Sequence, residues 1–597
     1  MDDTITFVVP GKVRAAGEPA SMQAKIGRDV VRLAIANGPT LTLHPENARD
    51  LLLAQSGSEA PPRSRGAATA PQAVQVPVQL RWKGLEQAAE ARGANRGLIG
   101  DVLLSAFEVV TGGHPADELA AGTIVAHFDE SVKAGVYRLR PASLEALDPA
   151  TTPRVDAIDA ATARQGPLLV LVHGTFSSTK GTFDKLWQEH PQLVRDLFAH
   201  YGDRVFALEH PTLGLSPAEN ALALARVLPA RATVHLLTHS RGGLVAEVFA
   251  RACAMRAFTD QDRAYFPGAD YDRERKVLAE LAAIARDKQV TVARVVRVAC
   301  PARGTLLASK RLDAYLSVLK WTLELAHIPV APELVEFLEK VAQRRTDPKE
   351  IPGLAAQVPD SPLVQWLHAA PAPVAGDLRV VAGDMEGDSI ATWLKTLLAD
   401  AYYWMDNDLV VQTRSMYGGA PRESGATFLL DRGGKVSHFS YFANELTANA
   451  IVAALKEARP PLEFRAIGPL SWQGRDDSGV RAAPETDTGD KPAVVLLPGI
   501  LGSNLAVDGR RVWLDWRIVN GLERLAYDPA QPNRVTPDGA IADVYGALTS
   551  HLARTHHVIE LAYDWRVPME QSAQRLADAV VDALRARERT GQPVRIL

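Results

Sequence analysis

The sequence predicts an α/β protein centred on a doubly wound, mostly parallel sheet, and three observations predict it. First, apolar runs at 167–172 (PLLVLV), 204–208, 233–237 (TVHLL) and 294–299 read as strands buried on both faces, with helical patterns between them. Second, the stretch 236–244, LLTHSRGGL, joins one such strand to a helix in which Leu244, Val245, Val248 and Phe249 recur at helical spacing. Third, the alternation breaks over 306–370, a mostly helical stretch, and resumes with LRVVA at 378–382. The third pattern is that of a helical segment inserted into the sheet scheme and overhanging the carboxyl ends of the strands. It reads equally as a lid or as a static subdomain.

The 597 residues are too many for one compact core, so two or three domains are expected. Residues 1–160 read as a mixed, β-rich accessory domain. Strand-like pieces lie at 4–9, 30–35, 74–82, 123–128 and 135–139, and a helical pattern at 85–110. A Ser/Pro/Gly/Ala-rich flexible linker is expected near 55–72. His114 and His127 are lone histidines and read as structural. Residues 161–465 form the central domain with the insertion 306–370, residues 466–492 a polar linker, and residues 493–597 a partial second α/β unit.

Composition narrows the function. Lys and Arg number 66 against 70 Asp and Glu, a net charge of −4, which gives no footprint for nucleic acid or an anionic membrane surface. No stretch is long and apolar enough to span a bilayer, and the N-terminus, MDDTITFVVPGK, lacks a signal peptide's apolar core. Two cysteines, Cys253 and Cys300, suit a reducing compartment, so a cytoplasmic protein is expected.

The chemistry gathers around Ser240. A serine on a sharp strand-to-helix turn is pushed out of the fold, and small residues such as Gly242 let the turn close. Serine needs a base, and the base needs a carboxylate to hold its tautomer. In chain order the candidates are Ser240, Asp408 and His438. Asp406 is the main rival acid and Asp384 another; His235 and His239 stand too near Ser240 in sequence to act as base. The oxyanion needs two N–H donors: the backbone of Arg241, after the nucleophile, and that of Thr175, in the loop after the first strand. Gly174 lets that backbone approach, and the His173 side chain reads as a structural turn residue.

Together LVLVHGTFSS, LLTHSRGGL, VACPARGT, DNDLVV and VSHF, in that order over 166–438, resemble a lipase/esterase-type α/β-hydrolase. The resemblance implies hydrolysis of carboxylic, lipid or acyl esters through an acyl-enzyme, with no metal or organic cofactor. Thr238 departs from the family, which places Gly there. Residues 493–597 resemble the lecithin:cholesterol acyltransferase-like lipases through VVLLPGILGSNL, Val512-Trp513 and Tyr563-Asp564-Trp565-Arg566. In that family the nucleophile elbow follows the strand that PVRIL (593–597) begins, so the reading frame is expected to continue beyond Leu597. Two other readings stand beside ester hydrolysis: O-acyl transfer in lipid metabolism, and a non-catalytic hydrolase-fold interaction module. Oligomeric state is not legible in the sequence.

Overall fold

In the computed structural model the described residues are 4–10, 21–56, 73–80, 102–111, 125–126, 129–130, 132–140, 154–305, 312–325, 330, 332–347, 350–359, 361–370, 373–384, 411, 413–423, 425–432, 438–461, 464–466, 487, 489–507, 510–511, 525, 527, 534–541, 545, 548–549, 551–552 and 555–597. Asp406, Asp408, most of both expected linkers, and Val512-Trp513 lie outside them. The chain divides into two compact units, Met1–Phe464 and Arg465–Leu597.

The first unit opens on strands β1 (Thr4–Val8), β2 (Ser21–Lys25), β3 (Asp29–Ile35) and β4 (Thr40–Leu43) and helix α1 (Pro45–Ser56). Strands β5 (Val74–Gln75), β6 (Gln79–Leu80) and β7 (Val102–Thr111) follow. They make two small sheets, β2–β1–β5 and β4–β3–β7–β6. Two readings of this region need correction. Part of the expected helix at 85–110 is strand β7, paired antiparallel with β3. Its Leu104 and Phe107 enter the core across a register shift opposite Ala34/Ile35, a break in alternation that mimics helical spacing. Helix α1 was absent from the strand-only reading of the first residues; Ala48, Leu51 and Leu52 bury one helical face. Within the expected strand 123–128, the described Val125 and Ala126 are helical.

The central sheet combines β8 (Gly135–Arg138), β9 (Arg154–Val155), β10 (Leu168–Val172), β11 (Val205–Glu209), β12 (Thr233–His239), β13 (Thr291–Val298), β14 (Asp377–Asp384) and β15 (Ala426–Arg432). Within this unit the order is β15–β14–β13–β12–β10–β11–β8–β9. Pairings from β15 to β11 are parallel, and β8 is antiparallel to both β11 and β9. It is a mixed sheet with helical insertions, consistent with an α/β-hydrolase-like fold. All five residues of β10 and of β11 are buried, which is why LLVLV and the first four residues of β11, VFAL, read as unbroken apolar runs. Helices α2 (Thr179–Glu189), α3 (Pro191–Tyr201), α4 (Pro217–Val227), α5 (Gly242–Ala254) and α6 (Asp272–Lys288) lie between these strands in the chain. Ser216 and Glu219 close a capping box that starts α4.

The insertion holds helices α7 (Leu312–Leu325), α8 (Pro332–Arg344) and α9 (Pro362–His368). Ala314 and Val318 of α7 belong to the same apolar cluster as Phe7, Leu33, Leu41 and Phe107. Asp313 accepts from the His44 amide and the Asn47 side chain, both at 2.8 Å, and Ser317 accepts from the Thr42 amide at 2.9 Å. The insertion is thus packed on the N-terminal sheet. Helix α10 (Glu445–Lys456) ends the unit, its first turn capped by Asn444.

The second unit opens on the two-residue strand β16 (Arg465–Ala466) and has a parallel sheet, β21 (His557–Glu560), β17 (Ala493–Leu496) and β22 (Val594–Ile596), with β17 in the middle. A second, antiparallel sheet joins β18 (Ser503–Val507) to β19 (Arg510–Arg511) and β20 (Val535–Ala540). Helix α11 (Met569–Ala586) precedes β22. Tyr563 and Trp565 donate to Ser503, which ties the YDWR segment to the start of β18. Cys253 and Cys300 are free. Among the described residues no helix is long and apolar enough to cross a membrane.

Candidate functional site

Strand β12 delivers Ser240, and helix α5 starts two residues later. Ser240 has φ 52, a left-handed conformation that costs a non-glycine residue about 1–3 kcal/mol. Two bonds hold it there: its amide donates to the Val298 carbonyl, and its own carbonyl accepts from the Gly243 amide, each at 2.9 Å. Two other strained residues sit beyond the ends of adjacent strands, Phe176 (φ 56) after β10 and Ala299 (φ 51) after β13. Three non-glycine residues at positive φ thus stand along one edge of the sheet, at the carboxyl ends of three neighbouring strands. Ligands of open α/β sheets bind at that edge.

Two glycines are required by close approach. A Cβ on Gly242 would stand 2.4 Å from the Val172 carbonyl oxygen and 2.6 Å from that of His173. A Cβ on Gly174 would stand 2.7 Å from Ser240 Cβ and 3.3 Å from its Oγ. The loop after β10 therefore lies directly on the serine. Thr238, at the position where the lipase/esterase pattern has glycine, is an interior residue of β12 paired with Val172 and Arg297, and is fully buried.

That loop is fastened from three sides. His173 donates from Nδ1 to the Gly174 carbonyl (3.0 Å), and its Nε2 lies 3.3 Å from Glu209 Oε1 and stacks the ring on His210 at 4.0 Å. Burial works against the Glu209 charge, yet His173 and Thr179 hold its carboxyl below the ordinary value. The Phe176 amide donates to Thr212 Oγ1 and the Phe176 ring packs on Phe337 of α8 at 5.3 Å. Gln357 donates to Thr175 Oγ1 at 3.1 Å. Among the described residues no protein acceptor takes the amide of Thr175 or of Arg241.

The Arg241 side chain was not foreseen as a structural element. It is fully buried, and its guanidinium donates to Gly353 O, Asn220 Oδ1 and Leu215 O. Burial pushes its pKa down to about 10. A second unforeseen cluster lies beneath α5. Glu247 accepts from Arg297 (2.7 Å), Arg422 (2.9 Å) and the Ala420 amide (3.0 Å), all out of solvent. Arg297 also donates to the Met416 and Gly418 carbonyls. The cluster ties 416–422 to α5. Its sequence signal was single charges inside apolar runs, Glu247 in LVAEVFA and Arg297 in VVRVAC, which call for buried partners.

His438 is buried beside the elbow. Its backbone carbonyl accepts from His239 Nε2 at 2.7 Å, and the two rings lie 4.8 Å apart. The structure therefore brings Ser240, Thr175, Arg241, His173, Gly174, Gly242 and His438 to one edge of the sheet. Asp384 ends β14, while Asp408 and Asp406 are outside the described residues. Among the described residues no cluster of side chains suits a metal ion.

A family model described as a domain of unknown function, DUF7379, matches residues 134–265 and 274–456. No curated protein matches the chain. Among solved structures the chain is similar to the mature Bacillus licheniformis lipase BlEst2, at 18% identity and TM-score 0.26, covering 51% of this chain and 96% of that one. It is similar to the phospholipase PlaB of Legionella pneumophila at 12% identity and TM-score 0.30, covering 49% and 60%. Aspergillus fumigatus lipase B follows at 16% identity and TM-score 0.26, covering 51% and 56%. The chain thus spans less than two thirds of the latter two. The resemblance is remote, extends to several lipase and esterase structures, and singles out no one family among them.

Proposed function

We propose, for a chain that belongs to this DUF7379 family of domains of unknown function, that residues 161–465 form a serine hydrolase acting on carboxylic esters. The observation that carries the reading is the strained Ser240 with the Gly174 loop pressed on it and His438 beside the elbow. In this reading Ser240 is the nucleophile, His438 the base and Asp408 the acid that orients it. As Oγ attacks the ester carbonyl, His438 takes its proton and the carbonyl electrons move onto oxygen. The amides of Thr175 and Arg241 stabilise that oxyanion. Collapse breaks the bond to the leaving alcohol, which receives the proton from His438 and leaves an acyl-serine. Water, deprotonated by His438, then releases the acid and restores the enzyme.

The doubly wound sheet, the lid role of 306–370, the accessory role of 1–160 and the acyltransferase-like character of 493–597 belong to the same proposal. An acyl or lipid ester suits it as substrate. The test is labelling with a fluorophosphonate probe, followed by a panel of acyl esters of rising chain length on wild type and Ser240→Ala. Labelling confined to Ser240, with turnover lost in Ser240→Ala, is the expected result. No labelling and no turnover would favour the interaction-module reading.

A further inference from the structure

His239 was set aside as a base because it adjoins the nucleophile, yet its side chain makes a contact that a bystander would not need. It is the last residue of β12, held between β10 and β13 in the middle of the sheet. From there its ring reaches a loop 199 residues further along, where Nε2 lies 2.7 Å from the His438 carbonyl oxygen. The ring also packs against His438 at 4.8 Å, Phe439 at 5.7 Å and Phe442 at 5.8 Å. We propose that His239 is a positioning residue: its Nε2–H ties the His438 backbone to the central strand and so sets where the His438 imidazole stands relative to Ser240. The inference rests on the reading of Ser240 and His438 as nucleophile and base.

The tautomer follows from the partners. A carbonyl only accepts, so Nε2 carries the proton and Nδ1 is bare in the neutral ring. Nδ1 is buried and has no hydrogen-bond partner among the described residues. A second proton there would leave a buried N–H without an acceptor, which is costly. Burial, with His438 close by, accordingly holds the His239 pKa well below the ordinary value. The ring therefore stays neutral, keeps its donor, and places no cation beside the imidazolium that forms on His438 during turnover. A hydrophobic residue of similar shape would fill the space equally well but would not hold the carbonyl. Displacing a base by about 1 Å is enough to slow chemistry on the order of 100-fold.

The test compares His239→Phe, which keeps the ring and loses the donor, with His239→Gln, whose side-chain amide can donate from near the Nε2 position. Short-chain ester turnover, fluorophosphonate labelling rate at Ser240 and thermal unfolding are measured on the full chain. For His239→Phe the expected result is kcat lower by about 10- to 100-fold with KM within about twofold. The labelling rate should fall in parallel, and His239→Gln should recover most of both. Wild-type kcat in folded His239→Phe, or equal loss in folded Phe and Gln variants, overturns the inference. Should neither variant fold, nitrogen NMR of the wild type decides: His239 must show a protonated Nε2 and a bare Nδ1, and the reverse tautomer overturns it. If wild type is not labelled at Ser240, the underlying reading of the site fails. If wild type is labelled and His239→Phe reacts as fast, only the role of His239 fails.

Discussion

Replacing Gly174 by alanine tests the reading of the site where its packing is tightest. The added Cβ would stand 2.7 Å from Ser240 Cβ, 3.2 Å from the His239 carbonyl oxygen and 3.3 Å from Ser240 Oγ. Carbon atoms pack at about 3.5–4.0 Å, so the loop and the elbow must part by roughly 1 Å. Neither side yields freely. Ser240 is held by Val298 and Gly243, and the loop by His173 on one side and Thr212 on the other. Overpacking of this kind costs about 1–3 kcal/mol of stability. The kinetic cost should be larger in proportion, because the displaced atoms include the serine proposed as nucleophile and the neighbouring Thr175 amide. A separation of about 1 Å predicts a loss on the order of 100-fold in kcat/KM. The assay is turnover of a short, water-soluble ester beside thermal unfolding, with Gly202→Ala as control. Gly202 has positive φ (59), which Gly174 does not, and nothing lies within 4 Å of an added Cβ, so the control carries backbone strain without a clash. A folded Gly174→Ala enzyme within about threefold of wild type would refute the placement of this loop at the reacting centre.

Three other outcomes are expected. Asp408→Asn should lose far more ester turnover than Asp406→Asn, since Asp408 directly precedes the run Leu409-Val410-Val411 where the family resemblance puts the acid; the reverse order in kcat would move the role to Asp406. Glu247→Gln should destabilise the fold by about 3–5 kcal/mol at pH 7, because it strips the counter-charge from two buried guanidiniums. Burial opposes the Glu247 charge, but Arg422 and Arg297 prevail and hold its pKa below 4.5. Stability from a depressed carboxyl is present above the ordinary value and lost as pH falls through the native one. The gap between variant and wild type in denaturant unfolding should therefore narrow below pH 4.5, and a gap that widened there would contradict the ion cluster. Asp313→Ala should raise hydrogen exchange both in β4 and in α7, since Asp313 accepts from His44 and Asn47; unchanged exchange in α7 would show that this anchor does not hold the insertion.

Much of the central sheet is legible because its signals are local. β10 and β11 are buried at every residue, so LLVLV and VFAL read as unbroken apolar runs, and the buried parts of β12 and β13 still carry Val and Leu between their Thr, His and Arg residues. Elbow and loop glycines are legible for the same reason, since a missing Cβ marks a close approach. The N-terminal strands are harder. β7 carries a register shift against β3, so its buried residues lose strict alternation and read as helical. Nor does anything in 312–325 announce that Ala314 and Val318 complete the core of strands more than 200 residues earlier. That packing is a tertiary choice, and an amphipathic helix does not name the face it will cover. The Arg241 guanidinium is hidden in another way. Its partners are carbonyl and amide oxygens of Gly353, Leu215 and Asn220, groups that leave no charge pattern in the sequence.

The elements that sequence reading missed share a task. The edge of the sheet carries three non-glycine residues at positive φ, and a conformation costing about 1–3 kcal/mol persists only where its surroundings over-determine it. Each unforeseen group supplies part of that constraint. His173 with Glu209 anchors the loop that runs to Phe176, and Phe337 packs on Phe176 from the insertion. Arg241 pins the first residue after Ser240 to two other segments of chain, 215–220 and the one around Gly353. Arg297, two residues before the strained Ala299, is locked by Glu247, which belongs to the helix that follows Ser240. Strand, helix and following loop are thus joined by buried charge on both sides of the serine. Such a frame costs desolvation, and buried ion pairs do not repay that cost in stability as a rule. What it supplies is fixed geometry. Amides held in place before a substrate arrives need no reorganisation when negative charge develops, and that is the physical requirement of an oxyanion site.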